Sequence, residues 1–204
     1  MTGAGVTGAG RPQRADARSN RGRILDAAQE VFGRGGEAAS TEEVARLAGV
    51  GIGTVFRHFP TKADLLDAVL VRRFDRLRER AELLAGSADP GRALFDMFAE
   101  MVSDAPSKIA IADALVEAGG DDAGSQAERA SGELSRAVGV LLDRAQAVGA
   151  VRADIELPEL YALLIGMSRA SAYAQLDHDV RARALGVIFD GLTAPRSVPR
   201  QARS

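Results

Sequence analysis

Between Ser40 and Pro60 the chain is punctuated so tightly that only two short helices joined by a three-residue turn can be drawn through it. Ser40 and Glu43 have capping-box spacing, in which a hydroxyl accepts from a backbone N–H three residues on and the carboxylate reaches back, so a helix opens at Ser40 or Thr41. Val44, Ala45 and Leu47 supply its apolar side, and Gly49 ends it. Gly49-Val50-Gly51 forms the turn, and a second helix runs from Ile52 to Phe59, where Pro60 denies the next turn its backbone donor. At about 100° per residue, Ile52, Val55 and Phe59 cluster on one side, Gly53, Thr54, Arg57 and His58 project to the other, and Phe56 lies at the border. Two short helices so joined, braced by a third, form the layout that sets one helix in the DNA major groove. Arginine donates two parallel bonds to guanine, threonine meets a thymine methyl or a phosphate, and Gly53 lets the backbone come close. From spacing alone a second reading stands beside this one: a three-helix packing unit that binds nothing, with Arg57 and His58 merely solvated.

Nearly every other segment carries helical spacing, and no run alternates in the manner of a strand, so the class is all-α with about nine helices. Ile24, Leu25, Ala28, Val31 and Phe32 share one face of a first helix that stops at Gly33 to Gly36. Thr61 and Asp64 cap a long fourth helix carrying Leu65, Leu66, Val69, Leu70 and Phe74 to about Ala85. Pro90 opens a fifth, Pro106 divides it from a sixth around Ile111 and Leu115, and Gly119 to Gly124 reads as a mobile acidic loop. A seventh helix ends near Gly149. An eighth, about Leu157 to Gln175, is apolar on more than one side and needs two partners; a ninth spans about Asp179 to Leu192. The tail from Pro195 reads as disordered. The expected divisions are a flexible basic arm at 1–20, a DNA-binding domain at 21–67, a connecting helix at 68–86, a ligand-binding and dimerisation domain at 87–193 and the tail at 194–204.

Composition enters as exclusion. The 204 residues include no cysteine, so disulfides, thiolate metal sites and cysteine nucleophiles are ruled out, which is compatible with a reducing cytoplasm. The two histidines, His58 and His178, are far apart in sequence, and His178 reads as a surface residue at a helix start; no metal site, cofactor or catalytic centre is expected. Gly49-Val50-Gly51-Ile52-Gly53 lacks the final glycine and the preceding strand of a dinucleotide loop. No apolar run approaches the roughly 18 residues that would cross a bilayer, and Met1 to Gly10, a flexible leader, lacks the layout of a secretory signal. A formal net charge of -2 hides an asymmetry: residues 1–80 hold 14 Arg and Lys against 10 Asp and Glu, whereas residues 81–204 hold 12 against 18. A basic head on an acidic body suits a polyanion partner, and a solvated surface has the same look. Arg11, Arg14, Arg18, Arg21 and Arg23 read either as an arm for a minor groove or as a solubilising tail attracted to phosphate without specificity.

The stretch from Ser40 through Gly53-Thr54-Val55-Phe56-Arg57-His58-Phe59-Pro60-Thr61-Lys62-Ala63-Asp64-Leu65 closely resembles the DNA-binding domain of the TetR family of transcriptional regulators. The resemblance covers roughly Arg21 to Leu70 and beyond it extends only to helix count and layout. It implies that Thr54, Phe56, Arg57 and His58 lie at the groove, beside Gly53, and that Thr41 and Lys62, each in the first turn of a helix where backbone donors favour an anion, hold phosphates. The family usually has tyrosine where this chain has Phe56, so a phosphate bond is lost there and Phe56 reads equally as core.

The resemblance also implies a small-molecule effector bound in the C-terminal helices. Phe95, Phe98, Met101, Ile109, Leu115, Leu141, Met167 and Tyr173 could line an apolar pocket, or be core at helical spacing. Ser168 and Arg169, polar residues in apolar surroundings, orient a ligand or form structural hydrogen bonds. For a two-fold homodimer the candidates are Tyr161, Ile165, Leu185, Ile188 and Phe189 with the small residues Gly166, Ala170 and Ala174, which allow close helix approach. The expected protein is a cytoplasmic, non-enzymatic repressor released from a pseudo-palindromic operator in double-stranded DNA by a small molecule. The alternative is a DNA-binding regulator without an effector.

Overall fold

The computed structural model describes residues 11–35, 38–120, 125–174 and 176–194, with side chains from residue 18 onward. Among the described residues there are eight helices: α1 (Arg11–Gly35), α2 (Thr41–Ala48), α3 (Ile52–His58), α4 (Lys62–Leu84), α5 (Pro90–Glu117), α6 (Gln126–Ala147), α7 (Leu157–Tyr173) and α8 (His178–Leu192). The extended backbone among them is one isolated antiparallel bridge, Val151 to Thr193. The fold class is therefore the expected one. The leader Met1 to Gly10, residues 121–124 of the acidic loop and the tail from Pro195 lie outside the described residues.

Two expectations about helix limits are corrected. Pro106 does not divide two helices but sits inside α5, so eight helices stand where about nine were expected. A proline removes one hydrogen bond and crowds the preceding turn, yet the same face is buried on both sides of it, by Val102 and Ala105 before and Ile111, Ala114 and Leu115 after. Arg73 braces this stretch: it is buried, its fork grips the Asp104 carboxylate, its Nη2 donates to the Asp104 carbonyl at 2.8 Å and its Nη1 to Ser107 Oγ at 3.1 Å. The second correction is to the basic arm, whose residues from Arg11 onward are the opening turns of α1. Pro12 falls in the first turn, where a missing donor costs nothing, and the Arg, Ala and Gln that follow are good helix formers.

The chain forms two compact units: Met1–Leu70 with Ala110–Gln126, and Val71–Ile109 with Ala127–Ser204. The boundary falls within α4, so the expected connecting helix belongs to both units. In the first, Ile24, Leu25, Ala28 and Phe32 of α1 are buried with Val44 and Ala45 of α2, Val55 of α3 and Leu65, Leu66 and Val69 of α4. Each such large apolar side chain contributes about 1.5–3 kcal/mol on burial. In the second, Leu94, Met97, Val102, Leu134, Leu141, Leu160 and Leu192 are buried, and Phe189 stacks on Phe95 with ring centroids 4.5 Å apart and meets Phe98 edge-on at 5.7 Å. Gly91 marks a close approach there, since a Cβ at that position would lie 2.6 Å from the Cβ of Ala150. No helix among the described residues is long and apolar enough to cross a membrane.

Candidate nucleic-acid interface

The helix pair takes its shape from its caps. Ser40 Oγ accepts from the Glu43 N–H at 3.1 Å and opens α2. Gly49 closes it with φ +65°, a left-handed conformation that glycine adopts without penalty. There the Gly49 N–H donates to the Arg46 carbonyl at 3.2 Å and the Val50 N–H to the Ala45 carbonyl at 3.0 Å. Gly51 starts α3 and accepts from the Thr54 N–H at 2.8 Å. After Pro60, the Thr61 and Asp64 side chains accept from each other's backbone N–H at 3.0 Å, a reciprocal cap for α4 as expected.

On this frame α3 is anchored by Val55, which is fully buried, and by Phe59 just beyond its end, 3% exposed. Ile52, expected in that anchor, is 37% exposed, and Leu47 of α2 is 48% exposed. The reason is length: helices of seven and eight residues bury barely two turns of one edge, so apolar residues at the margin of the stripe remain in solvent. Phe56 is 43% exposed and stands with Gly53 and Arg57, also exposed, and the half-buried Thr54 and His58. Its reading as core is therefore corrected. Around Gly53 a Cβ would meet no atom within 4 Å, so the outer face of α3 is open at its centre.

The two residues assigned to phosphates sit differently. Thr41 is buried. Lys62 turns inward: its Nζ donates to the Ala39 carbonyl at 3.2 Å and lies 5.2 Å from the centre of the Phe32 ring, tying the start of α4 to the segment before α2. Arg21 likewise lies over the Phe59 ring at 5.1 Å, and the Arg23 guanidinium donates to Asn20 Oδ1 at 2.6 Å. These arginines are thus part of the packed head.

The second unit contains a cavity of about 310 Å³ walled by α4, α5, α6 and α7. Of the eight candidate ligand residues, Met101 and Ile109 line it. Phe98, Leu115, Leu141 and Met167 are buried core, Phe95 is committed to its stack with Phe189, and Tyr173 is 65% exposed. Helical spacing marks which residues are apolar but gives no sign of where neighbouring helices part. Ser168 and Arg169 do reach the wall, joined by Phe74, Leu77, Asp104, Lys108, Ser131, Leu134, Tyr161, Leu164 and Ile165. Asp104 and Lys108, one turn apart in a helix with apolar Val102, Ala105, Ile109 and Ile111, carried a signal that spacing would have disclosed. Burial among apolar groups pushes the Lys108 ammonium below the ordinary lysine range, against the pull of Asp104 and with a push from Arg73 and Arg169. Burial likewise raises the Tyr161 hydroxyl, with Ser135 pulling partly the other way.

Of the candidate dimer residues, Ile165 at 52% exposure, Gly166, Ala170 and Ala174 face outward from α7, together with Leu163 and Tyr173. Leu185 is buried, Ile188 is half-buried, Phe189 is held by Phe95 and Phe98, and Tyr161 faces the cavity. From α8, Val187 and Val180 reach solvent.

Comparison with known proteins accords with this geometry. Residues 24–69 match the bacterial regulatory proteins of the tetR family, and residues 89–194 match the C-terminal domain of SbtR-like transcriptional regulators. A TetR transcription regulatory protein from Mycobacterium vanbaalenii is similar in structure, with a TM-score of 0.73 and 38% identity over 90% of this chain and 100% of that one. The TetR transcriptional regulator SCO0520 from Streptomyces coelicolor gives 0.70 and 34% over 85% and 98%. The HTH-type transcriptional repressor KstR of Rhodococcus jostii is 41% identical over 76 residues, which is 37% of this chain and 34% of that protein. The chain thus spans about a third of the length of the curated relatives it matches.

Proposed function

The chain belongs to the TetR family of bacterial regulatory proteins, and from that premise we propose that it is a DNA-binding transcriptional repressor that acts as a homodimer in the cytoplasm and is released by a small molecule. The observation that carries the reading is the outer face of α3, where Gly53, Phe56 and Arg57, with the half-buried Thr54 beside them, stand on a helix pinned from behind by Val55 and Phe59. Arg57 supplies bidentate recognition of guanine, Thr54 and Phe56 supply contact with a thymine methyl, and His58 lies at the edge of the groove. Phosphates are held at the helix starts, by the backbone N–H of Thr41 and by the Lys62 ammonium, which keeps two protons beyond the one it gives Ala39.

Two-fold pairing through α7 and α8 accounts for the outward row of Leu163, Ile165, Gly166, Ala170 and Tyr173, beside Val187. Such a pair presents two copies of α3 to half-sites about one helical turn, or multiples of it, apart. The test is to incubate the purified protein with fragmented genomic DNA and sequence what is retained. An enriched inverted repeat, bound in anisotropy titrations with steep salt dependence, is expected. Retention without sequence preference, or a monomer in sedimentation both with and without the selected duplex, overturns the proposal.

A further inference from the structure

The cavity in the second unit is apolar for most of its wall, through Phe74, Leu77, Met101, Ile109, Leu134 and Leu164, but its polar groups are not a balanced set. Asp104 is already satisfied: Arg73, buried behind it, grips its carboxylate with a two-pronged fork, and Arg76 adds a contact at 3.2 Å. Lys108 and Arg169 line the same cavity, and among the described residues neither forms an ion pair. Lys108 is turned toward the aromatic wall, its Nζ 5.5 Å from the centre of the Phe74 ring. Tyr161 also lines the cavity, with its hydroxyl itself buried beside Ser135.

The Lys108 ammonium is partly desolvated, and the pull of Asp104 on it is opposed by the nearby Arg73 and Arg169 guanidinium groups. One kind of molecule offsets this and suits the apolar wall: a single anionic group that accepts from both Lys108 and Arg169, attached to an apolar body. A neutral guest leaves the two cations unpaired, and a cationic guest adds to the repulsion. A cavity of about 310 Å³ sits at the small end of the usual range for ligand sites, about 300–1,000 Å³.

Resting on the reading of this chain as a ligand-controlled repressor, we infer that the effector is a small amphipathic carboxylic acid, bound as its carboxylate by Lys108 and Arg169 with its apolar body against Phe74, Leu77, Met101 and Leu164. The carboxylate accepts from two cations that no anionic group among the described residues pairs, Lys108 half-buried and Arg169 exposed where it lines the cavity.

The experiment compares three series of equal body size by calorimetry on the full chain: alkanoates from hexanoate to dodecanoate with benzoate and naphthoate, the corresponding primary alcohols, and the corresponding trimethylammonium salts. The carboxylates should bind at least tenfold more tightly than the alcohols, the ammonium salts should not bind, and the preference should collapse in the pair Lys108→Met and Arg169→Gln. Operator affinity of the variants serves as the control for folding. Equal binding of acids and alcohols, tighter binding of the cations, no binding by any acid, or a preference untouched by both substitutions overturns the inference. The two proposals fail separately. If alcohols bind and release the operator, ligand control stands and the acid inference falls; if acids bind through Lys108 without changing operator affinity, the acid inference stands and ligand control falls.

Discussion

Gly53 separates folding from recognition at a single position. It lies inside α3, where glycine is less favourable than alanine by about 0.8–1.0 kcal/mol, and a Cβ there meets nothing within 4 Å. Gly53→Ala should therefore raise the melting temperature slightly while weakening operator binding, because the added methyl group stands where the DNA backbone or a base edge must approach. Thermal unfolding and anisotropy on the same preparation check both signs, and unchanged operator affinity removes Gly53 from the interface. Arg57 and Lys62 divide differently. Arg57 is exposed, so Arg57→Ala should leave stability unchanged and relax base preference at one position by about 1–3 kcal/mol. Lys62→Ala also removes the bond to the Ala39 carbonyl; it should lower stability by about 1 kcal/mol and weaken binding to every sequence with a flatter salt slope. A specificity change in the Lys62 variant, or none in the Arg57 variant, contradicts the assignment. Angle around the axis marked Arg57 as outward-facing, whereas Lys62 was assigned to a phosphate by its place in the first turn of a helix. Neither could anticipate that the long lysine stem would fold back, since that depends on where Ala39 and Phe32 lie in three dimensions.

At the level of helices, the pattern of buried and exposed positions was readable wherever an element begins and ends on its own local chemistry. Ser40, Gly49, Thr61 with Asp64, and Pro90 each mark a boundary that the structure keeps. Pro106 misled because its local effect was outweighed by burial that continues through the same face and by Arg73, some thirty residues earlier in the chain, which no window of α5 contains. The corresponding prediction is that the residue is a tolerated defect. Pro106→Ala restores one donor and one helical hydrogen bond without altering the buried stripe of Val102, Ala105 and Ile111, and should stabilise the protein by about 1–3 kcal/mol. For a chain of 204 residues each kcal/mol corresponds to a rise of about 2–4 °C in melting temperature. A fall in melting temperature would mean that the packing of α5 requires the geometry that proline imposes. The short α3 shows the opposite limit: with seven residues it has too little edge to bury Ile52, and an apolar residue in so short a helix does not predict its own burial.

Coupling between ligand and DNA belongs to the chain as a unit, and α4 is where it can be argued. This helix supplies Lys62 to the head and Phe74 and Leu77 to the wall of the cavity, so one continuous hydrogen-bonded rod holds residues of both proposed sites. A ligand shifts the equilibrium between DNA-competent and released arrangements only by the difference in its affinity for the two. Linkage then requires reciprocity: if a ligand lowers operator affinity by some factor, operator must lower ligand affinity by that same factor, with a coupling of typically about 1–3 kcal/mol. The expected result, with decanoate or whichever carboxylate of the series binds most tightly, is a ligand affinity about 5- to 150-fold weaker in the presence of saturating operator than in its absence. The factor should match the one found by titrating operator with and without ligand. Both titrations must be run at one salt concentration, because operator affinity varies steeply with ionic strength. Matching factors well above one establish ligand-controlled release. Equal ligand affinities in the two calorimetric titrations rule it out, and the chain is then a DNA-binding regulator whose cavity does not speak to α3.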